Sequence, residues 1–391
     1  MSHDLAYVLL TPHSLRKART GGILSRLLSR TGLELVYARM LAPDADFASR
    51  YAATMIEHPD HRHRATHELL RDYVLREFTP AGDSEQGNPR ALLLVFAGEG
   101  APARLMAAVG HILFDTTRGE TIRDTYGDYM VEPNGDVRYF EPAVLAAPDE
   151  ASARRDLQLF AEWAGHHGAL AREAAPSPQD PFAEETLVLV KPDNFRFPNG
   201  RPGAVVDLFS RTGLTIVGMK VIQMSVAQAE AFYGPVLETL QRVMHDSTGT
   251  RARMAVEKEL GCPIEPDTET ALADLLGPIY SRYYWETLVQ FMAGSRPSEV
   301  HEAQKSAPGT ETSLAVVYRG RDAVRKIREV LGPTDPAKAP LGSIRREFGQ
   351  TIMINAAHAS DAADNATREM GIIEIEENSL QELVEMHGGS L

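Results

Sequence analysis

Residues 187–222, LVLVKPDNFRFPNGRPGAVVDLFSRTGLTIVGMKVI, read as a strand, a proline-bounded loop, a helix, a glycine stop and a second strand. The apolar run Leu187–Val190 suits a short buried strand. Pro202 stands where a helix opens, Val205, Val206, Leu208 and Phe209 carry its apolar positions, and Gly213 follows as its stop. That is the proline-first, glycine-last asymmetry of helices. Leu214–Met224 is rich in β-branched and apolar residues and reads as the next strand. Ser225 and Gln228 then have capping-box spacing for another helix. Further on, Ser313–Tyr318 reads as a strand, Asp322–Val330 as a helix and Gln350–Ile354 as the last strand. The order predicts an α+β sandwich with a ferredoxin-like βαββαβ core, an antiparallel sheet and helices covering one face.

The same order occurs earlier in the chain. Residues 6–41, AYVLLTPHSLRKARTGGILSRLLSRTGLELVYARML, share the strand, the proline, the glycine loop and the string SRTGL. A second match pairs ALLLVFAGEGAPARLMAAVG with SLAVVYRGRDAVRKIREVLG, and ETIRDTYG with GSIRREFG. One offset of 222 residues carries Gly110 onto Gly332 and Arg123 onto Arg345. A single repetition at this length predicts two related domains rather than a solenoid. We expect a first domain over 1–169, a linker at 170–184 in the Ala-, Pro- and Glu-rich LAREAAPSPQDPFAE, and a second domain over 185–391. The second domain is interrupted near 234–281, whose length and periodicity suit inserted helices, and again near 293–312.

The 391 residues are 43% hydrophobic and 24% charged, with a formal net charge of −14. That composition is globular. The acidic balance argues against sequence-independent nucleic-acid binding, which needs a basic face, but leaves room for a locally basic pocket. The lone Cys262 allows no intrachain disulfide. With neither a signal-peptide pattern at the start nor an apolar stretch near the ~20 residues that span a bilayer, a cytoplasmic, membrane-free setting is expected.

No GxxxxGK[ST] loop occurs, and no GxGxxG opens a helix, so any phosphate would be bound by side chains. The second domain offers Lys191 after a strand, Arg328 on a helix, Thr334 in a proline-flanked loop, Arg345 in GSIRREFG and Asn355 shortly before His358. Such groups stabilise a phosphoryl group in transfer by position and charge. Taken singly, each is more often a solvated surface residue, and His358 a packed core histidine.

Together they resemble the nucleoside diphosphate kinases. The resemblance runs through VKPD (190–193), SRTGLTIVGMKV (210–221), LGPTDPAKAPLGSIRREFG (331–349) and NAAHASDAADNATREM (355–370). It implies His358 as a nucleophile that takes the γ-phosphoryl of a nucleoside triphosphate such as ATP and passes it to a nucleoside diphosphate. A covalent intermediate divides one transfer into two, and neutral imidazole suits that task near pH 7. The resemblance further implies Glu369 orienting the imidazole, Ser360 hydrogen-bonding nearby, and Lys191 and Arg345 on the transferring phosphates. Arg328 and Thr334 would take the distal phosphates, Asn355 the ribose and phosphate side, Tyr284 the base, and Tyr233 a position near the phosphates. Mg²⁺ would come bound to phosphate oxygens, with no dedicated protein cage. Asp361 is expected to cap the following helix. One local departure is Ala359, where the family usually has glycine.

The first domain lacks this set. Thr11 stands for Lys191, Met106 for Arg328 and Ile112 for Thr334, while Arg123 keeps the place of Arg345. No histidine lies between Gly127 and Gly165. This domain is expected to keep the fold without the chemistry. The cluster His58, His61, His63 and His67 has one metal-compatible spacing, between His63 and His67, but its Arg and Glu neighbours read as a solvated helix face. Two other readings remain for the whole chain: a nucleotide-binding regulatory or scaffold protein with little turnover, and a phosphohistidine that donates to a partner protein. Homo-oligomerisation is possible.

Overall fold

The computed structural model describes residues 4–56, 64–81, 87–112, 119–134 and 137–388. Among the described residues, ten strands form three sheets: β1 (Asp4–Leu10), β2 (Glu34–Leu41), β3 (Ala91–Gly98), β4 (Asp128–Val131), β5 (Val137–Glu141), β6 (Val144–Leu145), β7 (Ala183–Val190), β8 (Thr215–Gln223), β9 (Thr312–Arg321) and β10 (Ala357–Ala359). The first four-stranded sheet has the order β2-β3-β1-β6 and the second β10-β7-β9-β8. Each places its first strand between its third and its last. β4 and β5 pair separately as a ribbon. β1 runs antiparallel to β3 and β6, and β7 antiparallel to β9 and β10. The chain is therefore α+β with two sheets of the same antiparallel βαββαβ plan.

By contact density the chain divides into one unit over residues 1–221 and 314–391, and a second over 222–313. In the first unit, one apolar core holds Val8, Leu10, Leu92 and Leu94 of one sheet together with Val188, Val190, Leu314 and Val316 of the other. These are alternate residues, as a strand with period two requires. The remaining residues of β1 and β3, among them Tyr7, Leu9, Leu93 and Val95, face a second core under the helices Ala45–Ile56, Arg64–Phe78, Glu150–Gly165 and Leu380–Gly388. The expectation of helices on one face fails for this sheet, whose strands are buried on both sides. Their unbroken apolar runs already carry that signature.

Helix Thr20–Thr31 packs on helix Arg201–Phe209 through glycines. A Cβ on Gly21 would lie 2.3 Å from the Asp207 backbone nitrogen, and one on Gly203 2.1 Å from that of Ser25. Residues 170–182 have no helix or strand, yet Ala171, Ala174 and Ala175 are buried.

The second unit is an antiparallel pair of long helices, Val226–Leu260 and Pro266–Ala293. Ser225 and Gln228 form the expected capping box, and Gly261 ends the first helix in the left-handed conformation. Gly249 admits Ala273, and His245 Nε2 meets Asp274 at 2.9 Å across the pair.

The last strand is a correction. Residues 350–354 form no strand. The N–H groups of Gln350 and Thr351 donate to the Ile354 carbonyl, and the Thr351 hydroxyl accepts from the N–H groups of Met353 and Ile354. Local side-chain and turn bonds have taken the groups a ladder would use, and pairing resumes only at Ala357.

Candidate active site

His358 lies on β10, opposite Leu189 of β7. Two residues earlier Ala356 has φ 69°, a left-handed conformation that costs a non-glycine residue roughly 1–3 kcal/mol. The Ala356 carbonyl accepts from the Lys191 N–H at 2.9 Å and from Asn194 Nδ2 at 2.8 Å. Those bonds hold the turn that delivers His358 to the strand.

Helix Ala363–Ile372 brings Glu369 back to the histidine. His358 Nε2 lies 2.9 Å from Glu369 Oε2, and the Ser360 hydroxyl donates to the same oxygen at 2.7 Å. Arg368 donates to the other carboxylate oxygen at 3.4 Å. Glu369 is 5% exposed, and the His358 side chain 23%. A carboxylate accepts here, so a neutral imidazole held this way has its proton on Nε2 and its lone pair on Nδ1. Asp361 does not cap this helix. Ala362 is the N-cap without a side-chain bond, and Asp361 instead accepts from Asn365 Nδ2 at 2.6 Å. That bond holds its carboxyl below the usual range, helped by the charge of Arg328.

Lys191 is buried and donates to Asn355 Oδ1 at 2.9 Å and to the Met353 carbonyl at 3.1 Å. Burial brings its pKa down to about 8, Arg345 pushes the same way and Asp193 opposes. Asn355, 1% exposed, also donates to the carbonyls of Ile352 at 2.8 Å and Thr334 at 3.1 Å. It thereby ties the Thr334 loop to the lysine. Arg345 donates to the Gly332 carbonyl at 3.0 Å and the Ala357 carbonyl at 3.1 Å, next to the histidine. Arg328, on helix Ala323–Leu331, and Thr334 are exposed. One connected set thus joins Lys191, Asn355, Thr334, Arg345, His358, Ser360 and Glu369 through side-chain bonds and the β7–β10 ladder. Tyr233 and Tyr284 belong to the helical unit. Tyr233 is buried and its carbonyl accepts from Trp285 Nε1 at 2.9 Å, while burial raises the Tyr284 hydroxyl. Sequence reasoning missed Asn194, Arg368 and the strain at Ala356. Asn194 directly follows the quoted VKPD, so position in the motif was the one available signal.

The first sheet repeats this frame with different contents. Ala143 has φ 61° and its carbonyl accepts from the Thr11 N–H at 3.2 Å. Arg123 donates to the Gly110 carbonyl at 2.7 Å and the Val144 carbonyl at 3.2 Å, as Arg345 does in the second sheet. Leu145, opposite Leu9, takes the place of His358. Arg155 and Asp156 stand as Arg368 and Glu369 do, but Asp156 accepts from the buried Tyr7 hydroxyl at 2.7 Å. A cavity of about 80 Å³ remains beside Arg123 and Asp156, far below the ~300 Å³ at which small-molecule sites begin.

Among the described residues, no group of three or more His, Cys, Asp or Glu is placed to hold a metal ion. His67 lies on helix Arg64–Phe78, while His58, His61 and His63 fall outside the described residues. Among the described residues, no helix is long and apolar enough to cross a membrane.

The family model described as nucleoside diphosphate kinase matches residues 184–246 and 276–378. The nucleoside diphosphate kinase of Chlamydia muridarum is 30% identical over 187 residues, covering 48% of this chain and 89% of the relative. That of an Anaeromyxobacter species is 30% identical over 187 residues and is covered to 86%. The solved NDP kinase of Pyrobaculum aerophilum is 27% identical, with 50% of this chain and all of that one aligned at a TM-score of 0.34. The family model falls on the half of the chain that carries His358, and with a relative 30% identical and covered to 89% this chain belongs to the nucleoside diphosphate kinase family.

Proposed function

We propose that the chain moves the γ-phosphoryl group of a nucleoside triphosphate to a nucleoside diphosphate through a phosphohistidine at His358. The observation that carries this is the pairing of His358 Nε2 with the buried Glu369, itself held by Ser360. It keeps the proton on Nε2 and the lone pair on Nδ1, the state a nucleophile needs. In the first half-reaction Nδ1 attacks the γ-phosphorus, the bond to the β,γ-bridging oxygen breaks, and the nucleoside diphosphate leaves with that electron pair. In the second, a terminal oxygen of the acceptor diphosphate attacks the phosphorus and the P–N bond breaks. Glu369 stabilises the imidazolium character that grows on phosphorylation.

Lys191, Arg328 and Arg345 supply positive charge and Thr334 a hydroxyl for the phosphates, where transfer depends on electrostatic positioning. Asn355, engaged on both ends of its amide, acts by positioning Lys191 and the Thr334 loop. Tyr284 is assigned to the base and Tyr233 to the phosphate side. Mg²⁺ is proposed to arrive on the nucleotide phosphates, as suits an oxygen-seeking ion that keeps several waters. The repeat over 1–169 is proposed to retain the fold without a nucleotide site, joined through 170–184 to the transferring half over 185–391.

Incubation with γ-labelled ATP should give an acid-labile, base-stable phosphoenzyme that is lost in His358→Ala. Adding a nucleoside diphosphate should discharge the label rapidly. Label persisting in His358→Ala would sink the assignment. A phosphoenzyme that diphosphates fail to discharge would favour a protein acceptor.

A further inference from the structure

Beside the glycine-mediated seam between helices Thr20–Thr31 and Arg201–Phe209 lies a cavity of about 430 Å³. Its volume falls within the ~300–1,000 Å³ typical of small-molecule sites. It belongs to neither half alone. Arg16 and Arg90 border it from the first, and Leu214, Ile216 and Tyr318 from the second. Among the described residues no Asp or Glu borders it, although the chain as a whole is acidic.

Three features of the lining ask for an anion. Arg90 donates to the Ile216 carbonyl at 2.7 Å, and burial followed by the nearby Arg16 lowers it to about 10. It therefore keeps its charge at neutral pH, and no carboxylate among the described residues lines the cavity beside it. Arg16 meets Glu77 at 3.4 Å in a partly exposed contact. Helix Thr20–Thr31 begins at this wall with Thr20 and Gly21, and no side chain caps it. The N–H groups of a first helical turn have no partner within the helix and carry partial positive charge. An independent sign of a missing partner is Tyr318. Its hydroxyl is buried without a hydrogen bond, and burial raises its pKa, so it stays a neutral donor. A buried hydroxyl left unpaired is costly. The apolar side chains of Leu214 and Ile216 complete the wall.

We propose that this cavity binds a small organic phosphate monoester, its phosphate between Arg16 and Arg90 at the start of helix Thr20–Thr31 and its apolar body against Leu214 and Ile216. The site is separate from His358 and joins the two halves of the chain. A ligand there stabilises the seam by mass action.

The test is calorimetric titration of the full chain with phenyl phosphate, with excess ADP present to occupy any nucleotide site. Phenol and inorganic phosphate are the comparison probes. One site is expected for phenyl phosphate, with weaker binding of inorganic phosphate and none of phenol. Arg90→Gln should weaken binding at least about tenfold, since charge-assisted bonds carry the phosphate. Ser210→Trp, at the exposed rim, should block it, and phospholabelling of His358 should be unchanged in both. Arg16→Gln, on a more exposed side chain, should weaken binding severalfold and serves as the test if Arg90→Gln does not fold. No binding of phenyl phosphate, or equal affinity in Arg16→Gln and Ser210→Trp, overturns the proposal.

Discussion

Lys191 is the residue at which burial and charge meet most directly. Its pKa of about 8 stands below the ordinary lysine value of 10.5, chiefly because burial disfavours the charged form. Between those two values the unfolded chain binds a proton that the folded chain does not. Stability therefore gains from this group as pH rises from about 8 toward 10.5, and below about 8 the buried charge is a constant cost. Activity should run the other way. If the ammonium helps hold the phosphates, turnover falls as pH rises through about 8, and Lys191→Arg should remove that inflection. A pH–rate profile of both proteins checks it, and an unchanged inflection in Lys191→Arg would assign it to another group. At this scale much of the site was legible, because NAAHASD, the downstream Glu369 and the spaced Lys and Arg are matters of residue identity and spacing. Ala356 was not. Nothing about an alanine announces a left-handed backbone, which is imposed by Lys191 and Asn194 from 162 or more residues away in sequence.

Among elements, the strands and capped helices were read well where local chemistry and burial agree. Leu187–Val190, the helix after Pro202 and the Ser225 capping box are cases. The Gln350–Ile354 strand failed because its apolar residues fit a strand while Thr351 offers a competing turn. The packing of helix Thr20–Thr31 on helix Arg201–Phe209 depends on two glycines, Gly21 and Gly203. Gly203→Val should destabilise the chain by about 1–3 kcal/mol, since its Cβ would overlap the Ser25 backbone and neither helix can yield freely. Gly371→Ala, where nothing lies within 4 Å, is the control and should be near neutral. Urea unfolding of the two variants decides it. Equal midpoints would mean that the helices separate at little cost.

For the whole molecule, the second unit is a helical hairpin whose outer part, residues 247–275, lies between the two family-matched segments. Replacing 247–275 with a short glycine-containing turn should leave phospholabelling of His358 intact, because the strands that hold the histidine lie in the first unit. Loss of label with retained fold, by circular dichroism, would assign the hairpin a part in the transfer. By itself the amino-acid sequence determined the repetition, the βαββαβ order, the spaced set of Lys191, Arg328, Thr334, Arg345 and His358, and the loss of all of these but Arg345 from the first half. These depend on residue type and on spacing along the chain. Only the tertiary structure decided that Leu145 takes the histidine's place, that the first sheet is buried on both faces and that the two halves share one core with a cationic cavity beside it. Those facts depend on strand register and on contacts between residues far apart in sequence, which no local pattern encodes.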